Sequence, residues 1–392
     1  MPAIERIAAW LPELTAIRRH LHAHPELGFE EHETAALVAQ RLGGWGIEVH
    51  TGIGGTGVVG ILRSGRPGRT IGLRGDMDAL PMHEETGLDY ASVHPGRFHG
   101  CGHDSHVAML LGAARYLAET RNFDGTVHLI FQPAEEGLGG ARAMIADGLF
   151  ARFPCDEIYA LHNSPLDPPD RVGLLPGLSH AGADFFDITL AGKGGHAAIA
   201  HLARDPIPAA AALVQALQTV VSRDAHAGHA LVLTVTRLEA GAAYNIIPET
   251  ALLSGTVRYL DDADRDLARA RIASLADGVA QAFGMAAEVR QWNVFDVLYN
   301  DPALTESAAA VCRGIVGADN VYFRDGPFMG SEDFADMLKR VPGSFIIVGH
   351  AGDVPVHNPR FVLDDAILPV GASILARLAE TRSVLPPAAR AS

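Results

Sequence analysis

The stretch FHGCGHDSH, residues 98–106, contains one cysteine and three histidines, with a glycine on each side of the cysteine. Thiolate sulfur and imidazole nitrogen are the ligands that zinc and related divalent ions prefer. Cys101 and His103 are two positions apart, so in an extended loop both side chains can face one ion. Gly100 and Gly102 permit the tight backbone path that this requires. A cysteine nucleophile with a histidine base is the competing interpretation, and a crowded turn is the third.

Further polar side chains follow three short apolar runs, which are typical of buried strands. These polar residues are Asp76 and Asp78 after 70–74, Glu135 and Glu136 after 127–131, and His162 after 157–161. In open α/β sheets, functional sites form at the carboxyl ends of the strands. Two adjacent carboxylates repel each other unless a cation is close. One member of the Glu135–Glu136 pair could therefore bind a metal while the other acts on water.

Each of these residues also has a simpler interpretation when it is considered alone. Asp76 and Asp78 could form a turn or a helix cap. His162 could be an ordinary buried histidine, His357 a loop residue and Cys101 an inert buried thiol. The combination is more specific, because cysteine, histidine and glutamate together suit a divalent metal. Glu136, His162 and His357 would complete two adjacent sites around Cys101 and His103, whereas a cysteine nucleophile leaves the glutamate pair unused.

The elements that carry these residues alternate between strand and helix, which predicts a doubly wound α/β sheet. Residues 106–117 have a helical apolar stripe, with Asp104 or Ser105 as a candidate N-cap. From about residue 180 the strands alternate apolar and polar positions, and two helices lie between them. That order predicts an inserted α+β domain of ferredoxin-like topology. The predicted domains are 1–179 with 294–392, and 180–293.

The composition excludes several classes of function. The chain of 392 residues has a net charge of −15, which argues against binding to nucleic acid or to an anionic membrane surface. No apolar run is long enough to span a bilayer, and the amino-terminal residues lack the pattern of a secretory signal. Three cysteines are too few for a disulfide framework, so a reducing cytoplasm is the predicted location.

The order of the motifs resembles that of the co-catalytic metallopeptidase superfamily of aminoacylase and glutamate carboxypeptidase. The chain looks most similar to the branch of hippurate hydrolase and plant auxin-conjugate amidohydrolases. The motifs that carry this resemblance extend over nearly the whole chain: RRHLHAHPELGFEEHETA (18–35), LRGDMDALPM (73–82), HGCGHDSHVAMLLGAA (99–114), FQPAEEG (131–137), ALHN (160–163), GKGGHAA (192–198), NIIPETALLSGTVR (245–258), GSEDF (330–334) and VHNPRF (356–361).

The resemblance implies a catalytic domain that binds two divalent metal ions, and an inserted lid domain that also forms a homodimer. It implies five metal ligands: Cys101, His103, Glu136, His162 and His357. Glu135 would be the general base, with Asp78 supporting the metal ligands from behind. Asp76 occupies the position at which related enzymes place a ligand histidine, and it is assigned a supporting role. His99 and His106 are predicted to be structural.

The resemblance also implies a function for residues of the inserted domain. His196 would reach the partner subunit's site and stabilise the oxyanion, whereas its sequence context alone indicates a surface turn. Asn245 and Arg258 match substrate-binding positions, and a guanidinium suits a carboxylate. Related chains often have a proline before the residue that matches His201, and GGHAAIAH lacks it, so no role is assigned to His201.

The predicted activity is hydrolysis of the amide bond of N-acyl amino acids, which yields a carboxylic acid and an amino acid. Zinc is the metal that sulfur and imidazole ligands favour, and manganese, cobalt or nickel would also fit mixed ligands. Two alternatives use the same fold: a dipeptidase or carboxypeptidase, and a deacetylase of the N-acetyl-diaminopimelate type. A non-catalytic metal-binding homologue is the third.

Overall fold

The structure is a computed structural model that describes residues 3–385. The chain divides into two compact units. The first unit comprises Met1–Ser179, Tyr299–Pro327 and Asp333–Ser392, and the second comprises His180–Leu298 and Phe328–Glu332. The second unit is therefore largely one continuous segment that interrupts the first.

The strands are β1 (Glu48–Ile53), β2 (Gly57–Ser64), β3 (Thr70–Asp76), β4 (Gly125–Gln132), β5 (Glu157–Ser164), β6 (Val172–Leu174), β7 (Gly177–His180), β8 (Gly182–Ala191), β9 (Gly195–His196), β10 (Leu231–Ala240), β11 (Ile246–Ile247), β12 (Thr250–Tyr259), β13 (Ala286–Phe295), β14 (Leu298–Asn300), β15 (Val321–Phe323) and β16 (Gly343–Gly349). The α-helices are α1 (Glu5–Ala8), α2 (Leu11–Ala23), α3 (His32–Gly44), α4 (His103–Thr120), α5 (Gly140–Ala146), α6 (Leu149–Arg152), α7 (Pro206–Thr219), α8 (Asp262–Ala282), α9 (Pro302–Val316), α10 (Phe334–Leu338) and α11 (Leu368–Arg382).

The first unit is built on an eight-stranded mixed sheet with the order β1-β2-β4-β3-β5-β16-β6-β15. Its centre is parallel, because β3 pairs in parallel with both β4 and β5, and β16 pairs in parallel with β5. β1, β2 and β4 add antiparallel pairs at one side. The central strands are buried along most of their length, as expected for a parallel sheet covered on both faces. The α/β class predicted from the sequence is confirmed.

The helix predicted over 106–117 extends in both directions, and its cap differs from the prediction. α4 begins at His103, and its N-cap is Gly102 in the left-handed region with φ of 93°. Asp104 and Ser105 therefore lie inside the first turn, and the prediction that either caps the helix was wrong. Asp104 Oδ2 instead lies 2.9 Å from His22 Nδ1. A glycine cap keeps this turn free of side-chain bulk, because a Cβ at residue 102 would lie 2.3 Å from Asn163 Nδ2.

The second unit has a four-stranded antiparallel sheet with the order β10-β12-β8-β13. Helices α7 and α8 pack against this sheet around a separate apolar core. The chain order of strand, helix, two strands, helix and strand is that of a ferredoxin-like domain. A role for this unit as a lid and dimerisation domain stays a prediction.

The sequence predicts no membrane-spanning segment, and the helices were compared with that prediction. Among residues 3–385, no helix combines the length and the apolar character that are needed to cross a bilayer.

Candidate metal centre

The candidate site lies in the first unit, where three neighbouring parallel strands end at one edge of the sheet. Asp76 pairs with Gln132 in the β3–β4 register, so the two strands end at the same level. Asp78 and the Glu135–Glu136 pair follow directly after these strand ends, and His162 lies near the end of β5. Alignment of the strand ends therefore brings together residues that are far apart in the sequence, as the strand pattern predicted.

Cys101 lies at the centre of this cluster and belongs to two groups of potential ligands. Its Sγ and the ligand atoms of His103 and His162 lie within 4.8 Å of one another. A second group consists of the same Sγ, a carboxylate oxygen of Glu136 and a ring nitrogen of His357, and these atoms also lie within 4.8 Å of one another. Two groups that share one sulfur offer the donors that two adjacent cations would need. All five predicted ligands are thus brought together within one unit.

The hydrogen bonds of the two buried histidines select the ring nitrogen that each can offer to a metal. His103 Nδ1 lies 3.0 Å from the carbonyl oxygen of Asp78 and 3.2 Å from Asp78 Oδ1, so it donates its proton in that direction. His162 Nδ1 donates to the carbonyl oxygen of Asn163 at 2.6 Å. Each ring therefore has Nε2 left to offer, and His162 Nε2 lies 3.3 Å from Cys101 Sγ. Although burial opposes it, the negative charge of Asp76 holds the pKa of His103 well above its ordinary value, so a metal ion bound at Nε2 would displace a proton. A second partner that fixes the tautomer in this way is typical of metal-binding histidines.

The donor set fits a cation, because two of its buried polar atoms lack a well-oriented hydrogen bond within residues 3–385. These atoms are Nε2 of His103 and Oε1 of Glu136. An unpaired buried polar atom is costly in free energy, and such atoms usually have a partner. Both atoms belong to the ligand groups around Cys101, and a bound metal ion would satisfy both.

His162 is held in the protonation state that metal binding requires. Burial, with the nearby His106 and His103 rings, keeps the pKa of His162 well below its ordinary value. The imidazole is therefore neutral at physiological pH, and neutral imidazole is the form that binds metals.

His357 approaches the centre from the loop after β16. Its Nε2 lies 3.3 Å from Oε1 of Glu136, and its side chain is about half exposed. Its backbone has φ of 64°, a left-handed conformation that is uncommon for residues other than glycine, and its N–H donates to the carbonyl of Gly100 at 2.8 Å. This bond ties the His357 loop to the loop that carries Cys101.

The environment of Cys101 weighs against the interpretation that this residue is a nucleophile. Its side chain is 7% exposed, and burial together with the negative charge of Glu136 raises the pKa of the thiol. Nucleophilic cysteines need the opposite shift, because the thiolate is the reactive form. A neighbouring dication would reverse the shift, so this environment favours a metal-bound thiolate.

Asp76 and His106 form a buried pair behind the ligands. Asp76 Oδ2 accepts a hydrogen bond from Arg74 Nη1 at 2.8 Å, and its Oδ1 accepts one from His106 Nδ1 at 2.5 Å. His106 Nε2 accepts from the backbone N–H of Asn163 at 3.2 Å. Although Asp76, His103 and His106 lie close enough together to be a third ligand group, both oxygens of Asp76 and both nitrogens of His106 already have protein partners. A supporting role for Asp76 and a structural role for His106 therefore stay predictions, and these contacts agree with both.

Glu135 lies beside the ligand groups, and its carboxylate is 6% exposed. An oxygen of Glu135 lies within 4.8 Å of ligand atoms of His103 and Glu136. Its Oε1 also accepts a hydrogen bond from the backbone N–H of Asp333 at 3.3 Å. A carboxylate in this position can take a proton from a water molecule held between the two ligand groups.

The sequence did not predict three residues that contact the site. Asn163 Nδ2 donates to the carbonyl oxygen of Cys101 at 2.7 Å, and Arg74 contacts Asp76. Glu31 accepts from the N–H of Ala134, next to Glu135, at 2.8 Å. All three lie inside motifs that carry the family resemblance, but nothing in their local spacing indicates a role.

The remaining predicted site residues lie in the second unit. His196 is exposed on β9, where it pairs with Ile246 of β11, and the N–H of Ala197 donates to the carbonyl of Asn245 at 3.0 Å. His196 and Asn245 are thus neighbours in one two-stranded ribbon. Arg258 lies on β12, and its Nη1 donates to Ser331 Oγ at 2.7 Å. His201 is exposed in a 3₁₀ segment, and its role stays unassigned.

Residues 72–381 match the family model described as peptidase family M20/M25/M40. The chain belongs to this family. It is 41% identical over 367 residues to the hippurate hydrolase of Campylobacter jejuni, an alignment that covers 94% of this chain and 96% of the relative. It is 39% identical over 358 residues to the N-acetyl-L-cysteine deacetylase of Bacillus subtilis, covering 91% of this chain and 85% of the relative.

One solved structure extends the comparison to the fold. It is a Bacillus subtilis protein described as a dinuclear metal binding peptidase from the M20 family, with a TM-score of 0.80 and 33% identity. The match covers 96% of this chain and 99% of that chain. Membership in the family confirms the resemblance found in the sequence, and with it the prediction of a hydrolase that acts on amide bonds.

Proposed function

We propose that the protein is a metal-dependent amidohydrolase that cleaves N-acyl amino acids into a carboxylic acid and an amino acid. The observation that carries this proposal is the position of Glu135 beside two ligand groups that share Cys101. The named activities of the two relatives, one a hippurate hydrolase and one an N-acetyl-L-cysteine deacetylase, fit the same reaction class.

The ligands proposed for the two cations follow from the geometry of the groups. Cys101, His103, Glu136, His162 and His357 would hold the two ions. When bound, two divalent ions polarise an amide carbonyl and lower the pKa of a water molecule. Zinc suits this donor set, and manganese, cobalt and nickel are tested alongside it.

The residues around the cations divide the remaining chemistry between them. Glu135 accepts a proton from the attacking water and returns it to the leaving amine, first as a general base and then as a general acid. Asp78 positions His103 through its Nδ1, and it also accepts a hydrogen bond from the backbone N–H of Glu136 at 2.9 Å. One carboxylate thereby orients two of the proposed ligands.

His196 is proposed to stabilise the oxyanion at the partner subunit's site. Its Nδ1 accepts a hydrogen bond from the N–H of Ala198 at 3.1 Å, so the ring proton lies on Nε2 and is free to be donated. Asn245 and Arg258 are proposed to bind the substrate, with Arg258 directed to its carboxylate.

A homodimer is proposed on the basis of the second unit's sheet. β10 is an edge strand of that sheet, and Val232 and Leu238 on it are 40% and 48% exposed. An edge strand that exposes apolar side chains can act as a template for pairing with another chain. Light scattering should give the mass of a dimer, and Val232→Lys with Leu238→Lys should shift the protein to monomers.

A reducing cytoplasmic location is proposed because Cys101, Cys155 and Cys312 are all unpaired. Fractionation of the producing cells would test it, and recovery of the protein from an oxidising compartment would contradict it.

The decisive experiment is a panel of N-acyl amino acids that varies the acyl group and the side chain. The enzyme is stripped of metal and reconstituted separately with zinc, manganese, cobalt and nickel. Metal-dependent turnover of N-benzoyl or N-acetyl amino acids is the expected result. Background rates across the whole panel would overturn the amidohydrolase proposal.

The same panel separates the alternative functions. Preference for dipeptides or for carboxyl-terminal residues of peptides would indicate a dipeptidase or carboxypeptidase, and preference for N-acetyl-diaminopimelate would indicate a deacetylase of that type. Tight metal binding without any turnover would indicate a non-catalytic homologue.

A further inference from the structure

The turn that presents Glu135 and Glu136 contains an alanine in a conformation that alanine disfavours. Ala134 lies between the end of β4 and the glutamate pair, and its φ is 52°. A residue with a Cβ in this left-handed region is strained, and surrounding contacts must maintain the strain. We call Pro133–Glu135 the Ala134 turn.

Glu31 supplies the hydrogen bond that maintains this turn. Its Oε1 accepts from the N–H of Ala134 at 2.8 Å, and its Oε2 accepts from Thr56 Oγ1 at 2.5 Å. The side chain is fully buried, burial raises the pKa of its carboxyl, and no lysine or arginine within residues 3–385 acts against that shift. A buried carboxylate without a cationic partner is costly, so its retention here requires a reason.

The other side of the turn is held by backbone contacts. The N–H of Gly140 donates to the carbonyl oxygen of Ala134 at 3.0 Å. A Cβ on residue 28 would lie 2.9 Å from Ala134 Cβ, and a Cβ on residue 140 would lie 1.6 Å from the carbonyl oxygen of Pro133. Two glycines therefore allow neighbouring backbone to close around the turn, which leaves Ala134 no room to relax.

We propose that Glu31 is a positioning residue that holds Ala134 in the left-handed conformation and thereby sets both carboxylates of the site. Residues 135 and 136 follow the strained position directly, so a change of φ at Ala134 would swing both side chains. Glu136 would no longer reach the proposed metal position, and Glu135 would no longer reach the attacking water. The proposal rests on the proposed metal-dependent function, since it assigns Glu31 to that site.

The first test replaces Glu31 with a residue of similar size that cannot accept a hydrogen bond. Glu31→Leu should weaken metal binding and kcat/KM by about 10- to 100-fold, the range found for partners of metal ligands. Glu31→Gln keeps an amide oxygen for the Ala134 N–H, and the Thr56 hydroxyl can turn to accept from its amide group. The metal affinity and the kcat/KM of Glu31→Gln should therefore stay within about threefold of the parent values.

The second test relieves the strain at its source. Glycine adopts positive φ without a steric penalty, so Ala134→Gly removes the need for external support. In the Ala134→Gly background, Glu31→Leu should cost about tenfold less in metal affinity than it does alone. This coupling between the two sites is specific to the proposal, because a role of Glu31 in general stability would not depend on residue 134.

Glu26 provides the matched control. Its carboxylate also accepts two backbone hydrogen bonds at the start of α3, from Glu33 at 3.0 Å and from Thr34 at 2.8 Å, but it does not contact the Ala134 turn. Glu26→Leu should lower the melting temperature while metal affinity stays unchanged. If Glu31→Leu does not fold, Gly28→Ala tests the same turn, because its new Cβ presses on Ala134 and should also weaken metal binding.

The readout is the metal affinity of the full-length protein, measured by titrating cobalt and following its absorption, with kcat and KM measured in parallel. Cobalt affinity within twofold of the parent in Glu31→Leu, or in Gly28→Ala where that variant is used, overturns the proposal. The proposal is also overturned if Glu31→Leu reduces cobalt affinity equally with alanine and with glycine at position 134. Because affinity is read without substrate, a protein that binds metal but hydrolyses no N-acyl amino acid contradicts the proposed function and leaves this test intact.

Discussion

His103 Nδ1 and Asp78 Oδ1 lie 3.2 Å apart, and both residues are buried. The same carboxylate uses its other oxygen to accept from the N–H of Glu136 at 2.9 Å. Asp78 thus connects the start of α4, which carries one proposed ligand, with the turn after β4, which carries another.

Asp78→Asn should therefore weaken metal binding and kcat/KM by about 10- to 100-fold. An asparagine side chain has only one acceptor oxygen, so its NH₂ group would face either the Glu136 N–H or the His103 N–H, although His103 Nδ1 keeps the carbonyl oxygen of residue 78 at 3.0 Å. Metal affinity measured by titration of the metal-free protein checks this. The control is Asp89→Asn on the exposed surface, and equal affinities for the two variants would contradict the prediction.

Glu135→Gln and Glu136→Gln should have different consequences, although the residues are adjacent. Glu135→Gln should retain its metal and lose about 10²- to 10⁴-fold in kcat, because a general base has been removed. Glu136→Gln should lose metal, because a carboxylate ligand has been removed. Elemental analysis and steady-state kinetics of both proteins separate the roles, and near-normal kcat in Glu135→Gln would show that the base is a different residue.

Cys101 should be protected from alkylation by bound metal. The test uses a Cys155→Ser/Cys312→Ser background, so that mass spectrometry reports on one thiol. In the metal-free protein the rate should rise steeply from pH 7 to pH 10, because burial raises the pKa of this thiol above its ordinary value. Equal rates with and without metal would rule out Cys101 as a ligand.

His22 should make stability depend on pH in the alkaline range. Burial alone would lower its pKa, but hydrogen bonds from its two ring nitrogens to Asp104 and Glu84 raise the pKa to about 9. A group whose pKa is higher in the folded state stabilises fully below its unfolded pKa of 6.5 and loses that effect as pH rises to 9. A shift of this size corresponds to about 3 kcal/mol.

The measurement is the free energy of unfolding in urea for the parent and for His22→Gln between pH 6 and pH 9.5. The difference between them should be largest at pH 6 and should shrink steadily with rising pH. His83→Gln, at an exposed position, serves as the control. A difference that stays constant over this range would mean that His22 is not charged in the folded protein.

His196→Ala should lower kcat by about 10²- to 10³-fold with unchanged metal content, which is the typical loss of one oxyanion donor. If His196 serves the partner subunit's site, mixing His196→Ala with Glu135→Gln subunits should restore about one quarter of parental activity. Random mixing yields half heterodimers, each with one complete site. As a control, mixing His196→Ala with the double variant His196→Ala/Glu135→Gln should restore no activity. If His196→Ala mixed with Glu135→Gln also recovers no activity, each subunit works alone.

The residue types of the site and the strands that carry them could be predicted from the amino-acid sequence. The apolar runs at 127–131 and 157–161 are the cores of β4 and β5; β4 begins two residues earlier and ends one later, and β5 ends three residues later. Strand ends are predictable because an apolar run must stop where side chains become polar, and parallel strands share the edge at which they stop. The cluster around Cys101 follows from that rule and from the family motifs.

The residues that support the ligands could not be predicted without the folded structure. Asp104 was a plausible cap by position, yet it lies inside α4 and contacts His22, 82 residues earlier in the chain. Glu31 and Ala134 are separated by 103 residues, and nothing in either local sequence indicates a hydrogen bond between them. Such partners are set by packing between distant segments, and a local pattern of residue types carries no information about which distant group will fill a given space.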